Sequence, residues 1–262
     1  MKGLWSRASA ALRGVVAAVS AIVLAAVLFV GYVFVEELTG SGGRGSGPTG
    51  GATISSGEIN ALFDDLVVAA EAPMKGYRRE EFPHWDNNEP EHGFGDEYAK
   101  YLRCTTREVM LLRDAVGSVT LDPKTCEFSI GADGGWRDEY GVADRKTGEL
   151  QPYKWITDPS GVDAEHIVAL AEAWRSGAGK LDKDTRRRIA NDALNLEASD
   201  PSANRSKGDQ DIADYLPPGK FRCEYIKRYL GVKVKYALTV DSDEHTALRT
   251  AVDECINRGE FK

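Results

Sequence analysis

The chain has 262 residues, 42% of them hydrophobic and 9% aromatic, which is enough to bury a core and excludes a wholly disordered polymer. With 33 Lys and Arg against 41 Asp and Glu, its net charge of −8 excludes a generic, strongly basic polyanion binder. Residues 36–174 hold 13 basic and 26 acidic side chains whereas residues 175–235 hold 14 and 9, so contact with an anionic ligand is expected in the second stretch.

The 21 residues from Val15 to Val35 carry no charge, and at about 1.5 Å per helical residue they match the thickness of a bilayer's hydrocarbon core. Lys2, Arg7 and Arg13 precede this span and Glu36 and Glu37 follow it, which predicts residues 1–14 inside the cell, a transmembrane helix over 15–35 and the remainder outside. A cleaved signal peptide is the alternative; the length of the apolar run and the lack of an A-x-A-like site favour the uncleaved anchor. Residues 36–56 are rich in Gly and Ser and read as a flexible tether to an extracytoplasmic domain over 57–262.

Within that domain, Ser55-Ser56-Gly57-Glu58 reads as a capping box, and Ile59, Leu62, Phe63, Leu66, Val67 and Ala70 recur at helical spacing behind it. Thr105 with Glu108 opens a second helix carrying Val109, Leu112 and Val116 inward until Gly117. Val119–Leu121 and Phe128–Ile130 flank an Asp-Pro-Lys-Thr turn and predict a hairpin. The chain then reads as loop to about Trp155, with helices over Lys183–Ala193, Phe221–Tyr229 and Asp243–Ile256. All four cysteines lie in the exported part and none forms a C-x-x-C pair, so disulfides Cys104–Cys126 and Cys223–Cys255 are preferred among three connectivities.

The chemistry concentrates in Asp163-Ala164-Glu165-His166-Ile167-Val168-Ala169-Leu170, in Asn191 to Ser199, and in Ala203-Asn204-Arg205-Ser206-Lys207. A carboxylate beside a histidine, with a carboxamide from a later segment, offers oxygen ligands for a hard metal and a general base together. This stretch resembles the HNH nucleases of the ββα-metal (His-Me finger) superfamily, whose pattern includes D-x-D-H-[IV]-V-x-L and N-R-x-K. The motif core spans 163–218, and the chain is most similar to stand-alone exported bacterial HNH endonuclease-like proteins. Cys104-Thr105-Thr106-Arg107-Glu108-Val109, the Gly135-Trp136 turn, Glu172-Ala173-Trp174 and the segment from Val240-Asp241 to Cys255 add to the likeness.

The resemblance implies an α+β fold with a ββα-metal core embedded in helices, and a metal-dependent endonuclease acting on DNA or RNA. His166 is then the base that deprotonates water, Asn195 orients the His166 loop, and Glu165 and Asn204 hold one divalent ion, Mg2+ or Mn2+. Where the pattern has Asp before the histidine this chain has Glu165, one methylene longer, so Asp163 is an alternative ligand. Arg205 and Lys207 are expected on the phosphates, with Arg186, Arg187 and Arg188 either extending that surface or forming a solvated helix face. Asn191 either serves the site or caps a turn, His84, His92 and His245 are expected to be surface or structural residues, and Trp174 is expected in the core. The partners implied are nucleic acid and, through the N-terminal helix, a membrane. A catalytically silent binding module at the cell surface, or a metal-dependent envelope hydrolase with another substrate, are the competing functions.

Overall fold

A computed structural model describes residues 54–144 and 146–261. The transmembrane helix expected over 15–35 and nearly all of the expected linker lie outside them. Among the described residues no helix is long and apolar enough to cross a membrane.

The described chain is α+β, with small two-stranded pairs set among helices. Helix α1 (Ser56–Asp64) starts as its capping box requires, the Glu58 N–H donating to Ser55 Oγ and the Ser55 N–H to Glu58 Oε2 at 2.6 Å. It stops well short of Ala70, because Val67–Val68 (β1) is drawn into a parallel pair with Thr239–Val240 (β8). Helix α2 (Thr106–Arg113) has the second capping box, with Thr105 and Glu108, and turns Val109, Met110 and Leu111 inward while Leu112 and Val116 are only half-buried. The hairpin β2 (Val119–Leu121) and β3 (Phe128–Ile130) pairs Thr120 with Ser129. A short antiparallel pair follows, β4 (Trp136–Arg137) with β5 (Trp155–Ile156).

The central ribbon is β6 (Asp163–His166) against β7 (Leu196–Ser199), with helices α3 (Leu170–Arg175) and α4 (Lys183–Asn191) in the connection and α5 (Pro201–Lys207) directly after it. Asp200 caps α5, accepting the Ser202 N–H at 2.8 Å, and Pro201 supplies a fixed φ at the first helical position. Helices α6 (Arg222–Lys235) and α7 (Ser242–Asn257) close the chain. The ribbon lies between two apolar cores. Leu196 and Ala198 belong to the one built on α2 and Trp136, whereas Ile167 and Val168, just beyond β6, belong to the larger one built on α1, α3, α6 and α7.

Two disulfides join Cys104 to Cys126 and Cys223 to Cys255, the pairing expected from the sequence. The second staples α6 to α7 across a sequence separation of 32. Closing a loop of that length in the unfolded chain stabilises the fold by about 3–4 kcal/mol. Replacing both Cys223 and Cys255 with Ala is therefore expected to lower Tm by roughly 10 °C in a calorimetric scan. An unchanged Tm would show that the bridge constrains nothing.

Candidate functional site

Side chains alternate across a strand, so the β6–β7 register sorts the candidate residues onto two faces. His166 lies opposite Leu196 and Ala164 opposite Ala198, on the α2 side; Glu165 lies opposite Glu197 and Asp163 opposite Ser199, on the side covered by α5 and α6. Glu165 and His166, neighbours in sequence, thus point to opposite faces of the ribbon, near its end.

His166 is buried, and its Nε2 lies 3.0 Å from the Ala190 carbonyl oxygen. A carbonyl only accepts, so Nε2 carries the proton of the neutral ring and Nδ1 is left as an acceptor. Burial pushes the imidazole down to about 3, with the Ala190 hydrogen bond opposing and the charge of Arg79 adding to the shift, which keeps the ring neutral at pH 7. Asn195 is also buried and grips the chain leaving β6. Its Oδ1 accepts the Val168 N–H (2.8 Å), its Nδ2 donates to Ile189 O (3.0 Å), and its own carbonyl accepts the Ile167 N–H (2.8 Å).

On the opposite face Asn204 Nδ2 donates to Asp163 Oδ2 at 2.9 Å, both side chains being half-buried. Lys207 departs from the expectation of an exposed phosphate contact. It is fully buried, with Nζ 2.6 Å from Glu165 Oε1 and donating to the His166 carbonyl at 3.0 Å. Burial raises Glu165 above its ordinary value and the Lys207 charge opposes that shift.

Asp163, Glu165 and Asn204 form an all-oxygen donor set of the kind hard divalent cations take. Glu165 Oε1 is engaged by the Lys207 ammonium at 2.6 Å, so an ion on this carboxylate would compete with that pair. A divalent ion would fit these residues once the Asn204 amide turns its oxygen toward Asp163 and Glu165 is released from Lys207. A separate carboxylate group, Glu71, Asp211 and Asp241, is built on other elements and has Arg175 paired to Glu71 at 3.2 Å.

The arginine triplet of α4 is neither a phosphate surface nor a free solvated face. Arg186 donates to the Glu81 carbonyl (2.8 Å) and carboxylate (3.0 Å), Arg187 binds Asp86, Glu91 and Asp184, and Arg188 pairs with Asp184. Arg186 and Arg187 fasten the segment 79–91 to the body of the fold. Asn191 completes the fastening: its Nδ2 donates to Pro83 O, and its Oδ1 accepts the Asp86 N–H at 2.9 Å and the Thr106 hydroxyl at 2.7 Å. Arg205 is exposed and lines a groove of about 600 Å³ with Lys146, Gln151 and Ser202.

The fastened segment brings to the site Trp85, which carried no expectation, and His84, expected to be a surface or structural residue. The Trp85 ring stacks on His166 with centroids 6.1 Å apart and planes 24° from parallel. Trp85 has φ +66°, a left-handed conformation that costs a bulky residue about 1–3 kcal/mol and persists where surrounding contacts impose it, here Asn191 on either side. His84 donates from Nδ1 to Phe82 O at 2.9 Å and packs edge-on against Trp85. The sequence signal available was a histidine and a tryptophan next to each other, shortly after paired arginines, in a stretch with no helical or strand period. Of the other histidines, His92 is buried and His245 packs on Phe63; Trp174 is in the core against Tyr77 and Phe82.

Residues 134–251 match the family model of GmrSD restriction endonucleases, C-terminal domain. A protein of the fungus Arthroderma benhamiae, named as an uncharacterized secreted protein, is 32% identical over 204 residues, covering 77% of this chain and 86% of its own. No solved structure matches the chain.

Proposed function

The chain belongs to the same family as the secreted Arthroderma benhamiae protein, and from that premise, with the restriction-endonuclease domain match over 134–251, we propose that it is an extracytoplasmic endonuclease hydrolysing phosphodiester bonds in DNA, and in RNA as a further substrate. The two disulfides and the secreted relative support a location outside the cytoplasm. The reading includes the ββα-metal assignment: β6, β7 and α5 form an antiparallel ribbon with a helix across one face.

The observation that carries the proposal is the His166 ring. It is tied through Nε2 to the Ala190 carbonyl, kept neutral by burial, and left with Nδ1 as a proton acceptor at the edge of a ribbon whose other face holds three oxygen-donor side chains. His166 Nδ1 takes the proton as water attacks phosphorus and the P–O bond to the leaving strand breaks. Asn195 acts by positioning, since it fixes Ile167 and Val168 and so the direction in which the His166 ring leaves the strand. Asp163, Glu165 and Asn204 would hold a divalent cation, Mg2+ or Mn2+, which when bound supplies Lewis-acid stabilisation of the charge on phosphate. Lys207 holds Glu165 and the His166 carbonyl in register and neutralises part of that face. Arg205, exposed and next to Asn204 in sequence, would meet a flanking phosphate.

The buried Lys207–Glu165 pair favours one rival, a silent binding module in which the ammonium stands where a metal would be needed. Plasmid nicking separates the two. The enzyme is expected to convert supercoiled plasmid to open circles with Mg2+ or Mn2+, to stop in excess chelator, and to resume when the ion is restored. No nicking with any divalent ion would leave the binding module standing.

A further inference from the structure

The basic stretch 175–235 was the place where a nucleic acid was expected to lie, yet its cations are largely engaged. Arg186, Arg187 and Arg188 are paired with carboxylates of 81–91 and of α4 itself, Lys207 with Glu165, Arg228 with Glu197, and Lys233 with Glu172 and Glu244. A cation already neutralised by a carboxylate contributes little to counterion release from a phosphate backbone.

Arg79 is the opposite case. It is exposed and has no salt bridge among the described residues, while its neighbour Arg78 and the Arg186 of α4 already occupy Glu81. Arg79 opens the short turn Arg79–Glu81, which Arg186 fastens through Glu81, on the same segment that carries Trp85 to His166. A few residues on, Trp85 covers His166 and supports His84, whose Nδ1 is held by Phe82 O so that Nε2 is the free edge. An unpaired guanidinium followed by a half-buried tryptophan is the combination that binds a phosphate and stacks an adjacent base.

We propose that the nucleic-acid strand approaches the site over the segment 77–86, with Arg79 as its first phosphate contact and Trp85 with His84 as an aromatic shelf, rather than over the arginine triplet of α4. The proposal rests on the nuclease reading and names the surface that reading needs. The segment is suited to it mechanically. Arg186, Arg187 and Asn191 hold it from the α4 side at Glu81, Pro83 and Asp86, so a strand binding there meets a preformed surface.

The test uses the full chain with His166→Gln, which removes the base and lets binding be measured without cleavage, and fluorescein-labelled single-stranded and duplex 20-mers as probes. Fluorescence anisotropy over a series of salt concentrations gives Kd and the slope of log Kd against log salt. Arg79→Ala is expected to weaken binding of both probes several-fold and to reduce that slope by about one. Trp85→Ala is expected to weaken single-strand binding by roughly tenfold, with Trp85→Phe restoring most of it because the stacking face is kept. Lys220→Ala, an exposed cation within 175–235, is expected to leave both readouts unchanged. A wild-type slope in Arg79→Ala, or equal losses in Trp85→Phe and Trp85→Ala, overturns the proposal. Plasmid nicking by the chain with His166 intact is scored separately: nicking with an Arg79-independent slope removes this surface and keeps the enzyme, whereas neither nicking nor binding removes both.

Discussion

Replacing His166 with Gln is expected to lower plasmid cleavage by roughly 10²–10⁴-fold, the usual loss when a general base is removed. Gln places its carboxamide nitrogen close to the position of the imidazole Nε2, so the hydrogen bond to the Ala190 carbonyl is kept while no group remains to accept a proton from water. That choice matters because His166 is buried, and an Ala there would leave both a cavity beside Trp85 and an unpaired carbonyl. The variant should melt within a few degrees of the wild type. A loss of activity with an intact melt assigns the defect to chemistry, and full activity in this variant removes His166 from the reaction.

The largest effect on stability is expected from Lys233→Met. Lys233 is fully buried, and its ammonium lies 2.8 Å from Glu172 Oε1 and 2.8 Å from Glu244 Oε1 while also donating to the Thr239 carbonyl at 3.0 Å. Methionine fills a similar volume but leaves buried Glu244 without a cation, facing a Glu172 that keeps only Arg175, a loss of about 3–5 kcal/mol. For a domain of this size that lowers Tm by roughly 10–15 °C. The pH dependence tests the cause. Burial pushes Glu244 up to about 7, with the Glu172 charge adding to the shift and Lys233 opposing it. A carboxyl raised in the folded state favours folding while protonated, and that contribution is lost as pH rises through its folded value. Without Lys233 the value rises further, so the gap in Tm between wild type and variant should be narrower at pH 5 than at pH 8. A gap that does not change with pH would point to lost packing instead of stranded charge.

What was legible in the sequence was local. The capping boxes at Ser55 and Thr105 are written in residues three apart, and the hairpin around Asp122 needs only its turn and two short β runs. The site's own strand and its Asn195 clamp were also within reach, because those residues stand in ordered blocks. The rest depends on partners far along the chain. Val67 and Val68 continue the helical spacing of α1, and only Thr239 and Val240 make them a strand. Lys207 reads as a surface cation until Glu165 and the His166 carbonyl, 41 residues back, are seen to hold its ammonium. Arg186 and Arg187 read as a solvated helix face or a phosphate surface until Glu81 and Asp86, more than 100 residues away, take their guanidinium groups. Arg79 and Trp85 carry no periodicity to mark them, since a strap held by other elements needs none of its own.

The parallel pairing of β1 with β8 sets an order on biosynthesis. Parallel strands cannot be joined by a tight turn, and here nearly the whole described chain separates Val67–Val68 from Thr239–Val240. Helix α1 packs its Ile59, Leu62 and Phe63 into the same core as Leu248 and Val252 of the last helix. A nascent chain that has not yet released α7 therefore lacks the partner strand and the far wall of that core, and Cys223 has no Cys255 to oxidise with. Contacts of such long sequence range form late and slowly. The core that α1 shares with α7, and the bridge from Cys223 to Cys255, therefore close only after the last helix has been synthesised.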